Sequence, residues 1–500
     1  MVENPSTPSA GRTGNNELER GVLGTGSLVF MVVAAAAPLT VMAGVAPLAI
    51  SIGGIGAPTG YLAAGLALAV FAVAFTRMTR HVGNAGAFYA YIALGLGRGW
   101  GIAAAVLALV SYNALQIGVY GLFATQTNQT LSDLFGFTLP WPIIAFAAVA
   151  AVLLVARLGI DIGAKVLGVL LVLESGILGL MAIRVVVKGG ATGIGFGSFT
   201  PSAVFTPGMA GVLGICFAAF MGFESTVLYR REARDPERTV PRATYLAVGF
   251  MGIFYCFIVW SVIQAFGQGN AVAAAQNDLS GLFFSVIRSY VGPWAATVMH
   301  LLIITSVFAA QLAFHNAITR YAHALADDGV LPAWFGKTHP RYRSPYRISV
   351  IQTVLAVIVI AAFAAAGADP YTRLLLWGNT PGVVGLLVLQ TFTAAAAVVY
   401  FLRRNPAAST PIALAAGIAS TILLGGATYL LIAHIDLLTG TTGRINALIV
   451  GLVPIALLAG GALALWLRRR RPDVYAGFGD STPITTSEET SGRVGNWSSE

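Results

Sequence analysis

Ala34-Ala35-Ala36-Ala37-Pro38-Leu39-Thr40 lies in the middle of an apolar run from Gly24 to Ile50, and its proline belongs in no uninterrupted helix. A proline removes one backbone donor and clashes with the turn before it. Phe220-Met221-Gly222-Phe223-Glu224 interrupts a second apolar run, Pro207 to Tyr229, with a glycine beside a carboxylate. Unpaired backbone groups in lipid cost several kcal/mol each, so such breaks persist only where they line a cavity or are buried in protein. Two interrupted helices in corresponding halves of a membrane chain are a sequence sign of a transporter's binding site.

The rest of the chain fits that frame. Of its 500 residues, 57% are hydrophobic and 10% charged, against roughly 25% charged in soluble domains. Twelve apolar windows are long enough to span a bilayer, at about 24–50, 58–76, 99–126, 140–156, 164–187, 207–229, 242–266, 293–319, 347–367, 374–402, 411–434 and 445–467. With the N-terminus inside, 24 of the 29 Lys and Arg fall in inner segments, as the positive-inside rule requires. Both termini are then cytoplasmic, and the net charge of +9 reflects topology, not a nucleic-acid partner. The Arg468–Arg471 cluster suits anionic lipid at the inner surface. Residues 1–20 and 469–500 read as disordered, being polar with little to bury. Cys216 and Cys256 lie in apolar runs without metal-ligand spacing, and no metal or cofactor is expected. The glycine-spaced Gly193–Gly197 reads as a loop.

Ionisable residues within spans are the first candidates for chemistry. Glu174 sits mid-span in the fifth window, with no basic residue within a helical turn. It reads as a proton or ion site, or as half of a distant ion pair. Glu224 follows the second break, and coupling, pairing with Arg230 or capping a half-helix are all open to it. Burial favours the neutral form of a carboxyl, the property proton coupling uses. At the first break, Ala36, Ala37 and Pro38 can present carbonyls to an ammonium, and amides beyond Leu39 and Thr40 can meet a carboxylate. The second break offers Ala219, Phe220, Met221, Gly222 and Phe223, with Phe220 the candidate gate. Tyr112, Asn113 and Gln116 of the third window either face this cavity or glue helices together. Thr305 and Ser306 could ligate a cation or bond back to their own helix. His315 reads as a gate or a packing contact.

These residues resemble the amino acid–polyamine–organocation permeases over about 20–470. The resemblance rests on Asn84–Tyr91 with Leu94–Gly97, Phe217–Glu224, Arg234–Arg242 and Arg320–Pro332. It implies the leucine-transporter fold: an all-α integral membrane protein of 12 transmembrane helices, with discontinuous helices 1 and 6. Residues 21–190 and 205–405 would be a 5+5 inverted repeat, and 410–468 two peripheral helices. The family's first break is usually glycine-rich, whereas Ala36 and Pro38 stand at the matching positions here. Some proton-coupled relatives carry a lysine in the fifth helix, and Glu174 aligns at or near it. The resemblance implies a plasma-membrane importer of an amino acid or related amine, driven by protons. An exchanger or a sodium symporter is the alternative, with a sensor or channel further off. Three lysines against 26 arginines suggest a GC-rich bacterial source.

Overall fold

The computed structural model describes residues 24–79, 82, 88–157, 164–224, 226, 233–336, 346–404, 406 and 410–479. Helices supply its regular elements: α1 (Thr25–Ala35), α2 (Pro38–Gly44), α3 (Ala46–Gly53), α4 (Ala57–Met78), α5 (Phe88–Leu96), α6 (Arg98–Phe135), α7 (Trp141–Arg157), α8 (Ala164–Val187), α9 (Pro201–Val204), α10 (Pro207–Ala218), α11 (Pro236–Phe266), α12 (Ala271–Asn277), α13 (Leu282–Tyr290), α14 (Pro293–Asp327), α15 (Tyr346–Ala365), α16 (Leu376–Val399), α17 (Pro411–Ala433), α18 (Ile435–Thr439), α19 (Arg444–Arg470) and α20 (Pro472–Gly477). Ten stretches among the described residues are long and apolar enough to cross a membrane, and α7 and α10 are shorter apolar helices. The window from 24 to 50 divides twice, at Ala36–Ala37 and at Val45 before Pro47. Wider π turns at Pro370–Leu375 and Tyr400–Arg404 flank α16, which carries Pro381 internally.

The pieces on either side of the first break are embedded, not peripheral. α1 packs on α8 and α11, while α2 packs on α8, α11, α13 and α14. α6, the longest helix, lies against α5, α7, α14, α16 and α19. Three amides join α6 to α14 and α15. Gln311 Nε2 donates to the Gln116 carbonyl at 3.2 Å, and Gln116 Nε2 to the Gln311 carbonyl at 3.4 Å. The Gln352 amide donates to Gln116 Oε1. Through these bonds Gln116 ties α6 to α14 and α15. His315 has a similar place, with Nε2 2.7 Å from Ser349 Oγ of α15, which makes it a packing contact.

One expectation changes. The tail is ordered over 469–479: Arg470 closes α19, α20 follows, and Phe478 is 1% exposed. A lone aromatic finding an apolar seat outweighs the polar composition around it. Residues 1–23 and 480–500 lie outside the described residues, as do Asn84–Ala87 of the quoted segments. The Gly193–Gly197 loop is pinned to α11, with Gly195 N donating to Gln264 Oε1 and Trp260 Nε1 donating to the Gly195 carbonyl.

α4 and α11 meet almost backbone to backbone. A Cβ added at Gly65 would lie 3.3 Å from both Gly252 Cα and Phe220 Cζ. Gly65→Val is expected to force the helices apart at a cost of about 1–3 kcal/mol. A lowered thermal unfolding midpoint in detergent is the check.

Candidate functional site

The first break is built on a strained alanine. Ala37 has φ 47 and ψ 71, the sole positive φ outside glycine among the described residues. The left-handed region costs a residue with a Cβ roughly 1–2 kcal/mol. The turn persists because Pro38 starts α2 with a φ suited to a helix and no N–H to satisfy. Ala36, Ala37, Pro38, Leu39 and Thr40 are all buried.

Where α2 opens, a carboxylate meets it. Leu39 N donates to Glu174 Oε2 at 3.3 Å. Ser306 Oγ of α14 donates to the same oxygen at 2.9 Å, and Thr40 Oγ1 lies 2.7 Å from Ser306 Oγ. Because the Ser306 proton is directed at Glu174, Thr40 is the donor to Ser306. Three helices distant in sequence thus converge on one oxygen that is nearly sealed from water, with Glu174 4% exposed. Tyr371 Oη holds the far end of α2, donating to the Gly44 carbonyl at 3.0 Å.

Thr305 does not join this cluster. It is exposed, and its hydroxyl bonds back to the Leu302 carbonyl at 2.9 Å. Adjacent helical residues point about 100° apart, so Ser306 faces inward and Thr305 outward.

The second break closes on itself. α10 ends at Ala218, turns lead through Ala219 and Met221, and Gly222 has φ 106, which glycine adopts without strain. Gly222 N donates to Glu224 Oε2 at 3.0 Å, and Tyr112 Oη of α6 donates to Glu224 Oε1 at 3.0 Å. Arg230, the partner considered for Glu224, lies outside the described residues. Among the described residues neither Glu174 nor Glu224 has a salt-bridge partner. Asn113 does not reach this cluster: its Nδ2 donates to the Leu109 carbonyl of its own helix at 2.8 Å. Phe220 turns into the core, its ring 6.0 Å from Tyr255 and wedged at the Gly65–Gly252 contact. In that position the ring wedges the α4–α11 contact beneath the break. Phe223 packs edge-on against Phe71 at 6.1 Å.

Sequence reasoning passed over several aromatic residues here. Tyr321 of α14 lies 6.4 Å from Tyr112, and its buried hydroxyl, like those of Tyr61 and Tyr255, has no partner among the described residues. A tyrosine in an apolar helix looks like packing, and nothing in its spacing marks it otherwise.

The fold and site define a helical membrane protein whose two interrupted helices each bind a carboxylate, buried at Glu174 and half-buried at Glu224. The amino acid permease family model matches residues 23–453. The chain belongs to that family, which is one of membrane transporters and not of enzymes. An uncharacterised transporter of Mycobacterium tuberculosis is 29% identical over 158 residues, 32% of this chain and 34% of that protein. The low-affinity putrescine importer PlaP of Escherichia coli is 25% identical over 319 residues, 61% of this chain and 66% of the importer. The methylthioribose transporter of Bacillus subtilis is 24% identical over 363 residues, 69% of this chain and 73% of that one. The aligned part of this chain therefore spans only about a third of the mycobacterial relative.

Ala37→Gly should relieve the left-handed strain, offset in part by the freedom glycine gains when unfolded, for a net gain of about 0.5–1 kcal/mol. A small rise in thermal midpoint of the purified protein is the expected reading.

Proposed function

We propose that the chain is a secondary active transporter that imports an amino acid or a related amine by alternating access, coupled to protons. The observation that carries this reading is the Glu174 carboxylate seated on the Leu39 amide and the Ser306 hydroxyl. Both donors use Oε2, so a proton can be taken at Oε1 without breaking either bond. Protonation removes the charge that favours the half-helix N-terminus and loosens α2 from α8. Loss of the proton restores it. A carboxylate that both titrates and fastens a broken helix is a direct way to tie proton movement to a change of shape.

The architecture supporting this reading has twelve spans, the ten long stretches with α7 and α10 as the remaining two. In it, residues 21–190 and 205–405 form the two inverted repeats and 410–468 the peripheral pair. Both termini are cytoplasmic by the arginine asymmetry, and the membrane in this reading is the plasma membrane. Substrate sits between the breaks, near Ala36–Thr40 and Ala219–Phe223, with Tyr112 and Glu224 at its edge.

One feature favours an amine over a zwitterion. The opening of α2 could bind a substrate carboxylate, but Glu174 already occupies its Leu39 amide. Among the described residues, no salt bridge neutralises either carboxylate. Two carboxylates with no paired cation among the described residues suit a positively charged ligand. The putrescine importer among the relatives is consistent with this.

Glu174→Gln keeps the hydrogen-bonding shape and removes the titration. In proteoliposomes it should abolish pH-driven accumulation while leaving exchange of bound substrate partly intact. Unchanged pH-driven uptake would refute the coupling role. Putrescine and lysine, compared by thermal shift, separate the amine from the amino acid: the bound compound raises the midpoint.

A further inference from the structure

The segment after α19 folds back onto the body of the protein. Arg471 breaks the helix, and its Nη1 donates to the Gly329 carbonyl at 3.3 Å, just past the end of α14. α20 follows, and Phe478 closes it by stacking on Tyr89 of α5, ring centroids 5.5 Å apart. The seat is cut to fit: a Cβ added at Gly101 of α6 would lie 3.1 Å from the Phe478 ring, and one at Gly329 3.2 Å from Val474. α5, the start of α6 and the end of α14 thus meet the tail at one end of the molecule, beside Arg468–Arg471.

The contact continues inward. Tyr89 meets Tyr321 of α14 edge-on at 5.2 Å, and Tyr321 lies 6.4 Å from Tyr112. Tyr112 in turn donates to Glu224 at the second break. An unbroken line of aromatic side chains therefore runs from the tail to the candidate site. The tail's own hold is slight. α20 has six residues, too few to be stable alone, and its anchors are the Phe478 ring, the partly buried Val474 and Tyr475, and one exposed hydrogen bond. A segment held this way can leave its seat without unfolding the rest.

We propose that residues 471–479 are an autoinhibitory strap, closing the arginine-rich end of the second break while Phe478 is seated. The proposal rests on the transport reading, to which it adds regulation. Seated, Phe478 clamps α5 to α14 through Tyr89 and Tyr321 and holds Tyr112 on Glu224. Released, it frees the Tyr321–Tyr112 pair and opens a route from the break to that face.

The test places a single cysteine at the break, Met221→Cys with Cys216→Ser and Cys256→Ser, and measures its alkylation by a water-soluble maleimide in detergent. The full-length protein is compared with Phe478→Ala and with a chain ending at Arg471. Both variants should react roughly tenfold faster, the change in opening equilibrium that loss of one buried phenyl ring produces. Equal rates in all three overturn the strap. The same tails with Met221 retained should also show faster initial uptake of putrescine or lysine into proteoliposomes. Faster alkylation without uptake in any form supports the strap and overturns the transport reading instead.

Discussion

A backbone amide in the middle of a membrane has to find an acceptor, and at Leu39 that acceptor is a carboxylate from another helix. Much of the candidate site follows from this bond. Pro38 opens α2 and Ala37 takes a strained turn ahead of it, so the amide of Leu39 is left facing α8. Glu174 satisfies that amide, and Ser306 and Thr40 stabilise the oxygen that does so. Hydrogen bonds to a charged group contribute about 1.5–3 kcal/mol each, enough to keep a short, interrupted helix in place.

The two breaks are satisfied differently. The first draws partners from α8 and α14, far away in the chain. The second uses its own carboxylate to accept the amide of Gly222, and α6 contributes only the Tyr112 hydroxyl. A self-contained turn can keep its shape while moving as a unit, whereas a shared one changes whenever its neighbours do. The first break is therefore the place where a carboxylate, a helix end and three separate helices influence one another.

The sequence made the breaks, the two carboxylates and the family legible, because proline, glycine and charge have few reasons to appear in lipid. Direction within a helix was not legible. Thr305 and Ser306 are neighbours of equal chemistry, yet one faces outward and the other completes the Glu174 cluster. Phe220 stood beside the break in the chain but turned into the core, since the space left by Gly65 and Gly252 is visible only once α4 and α11 are packed. One short element was missed for another reason. α20 is too brief to show a helical period, and Phe478 is buried by a pocket that residues hundreds of positions away create.

The close approach of α4 and α11 has a mechanical consequence. Helices separated by long side chains can slide, because the side chains change rotamer as the axes shift. At Gly65 and Gly252 there are no side chains to adjust, and the Phe220 ring fills the remaining gap like a key in a slot. The two helices are joined there into one lever, with the second break keyed to it. A tilt of one helix there is passed to the other and, through the Phe220 ring, to the turn that carries Glu224.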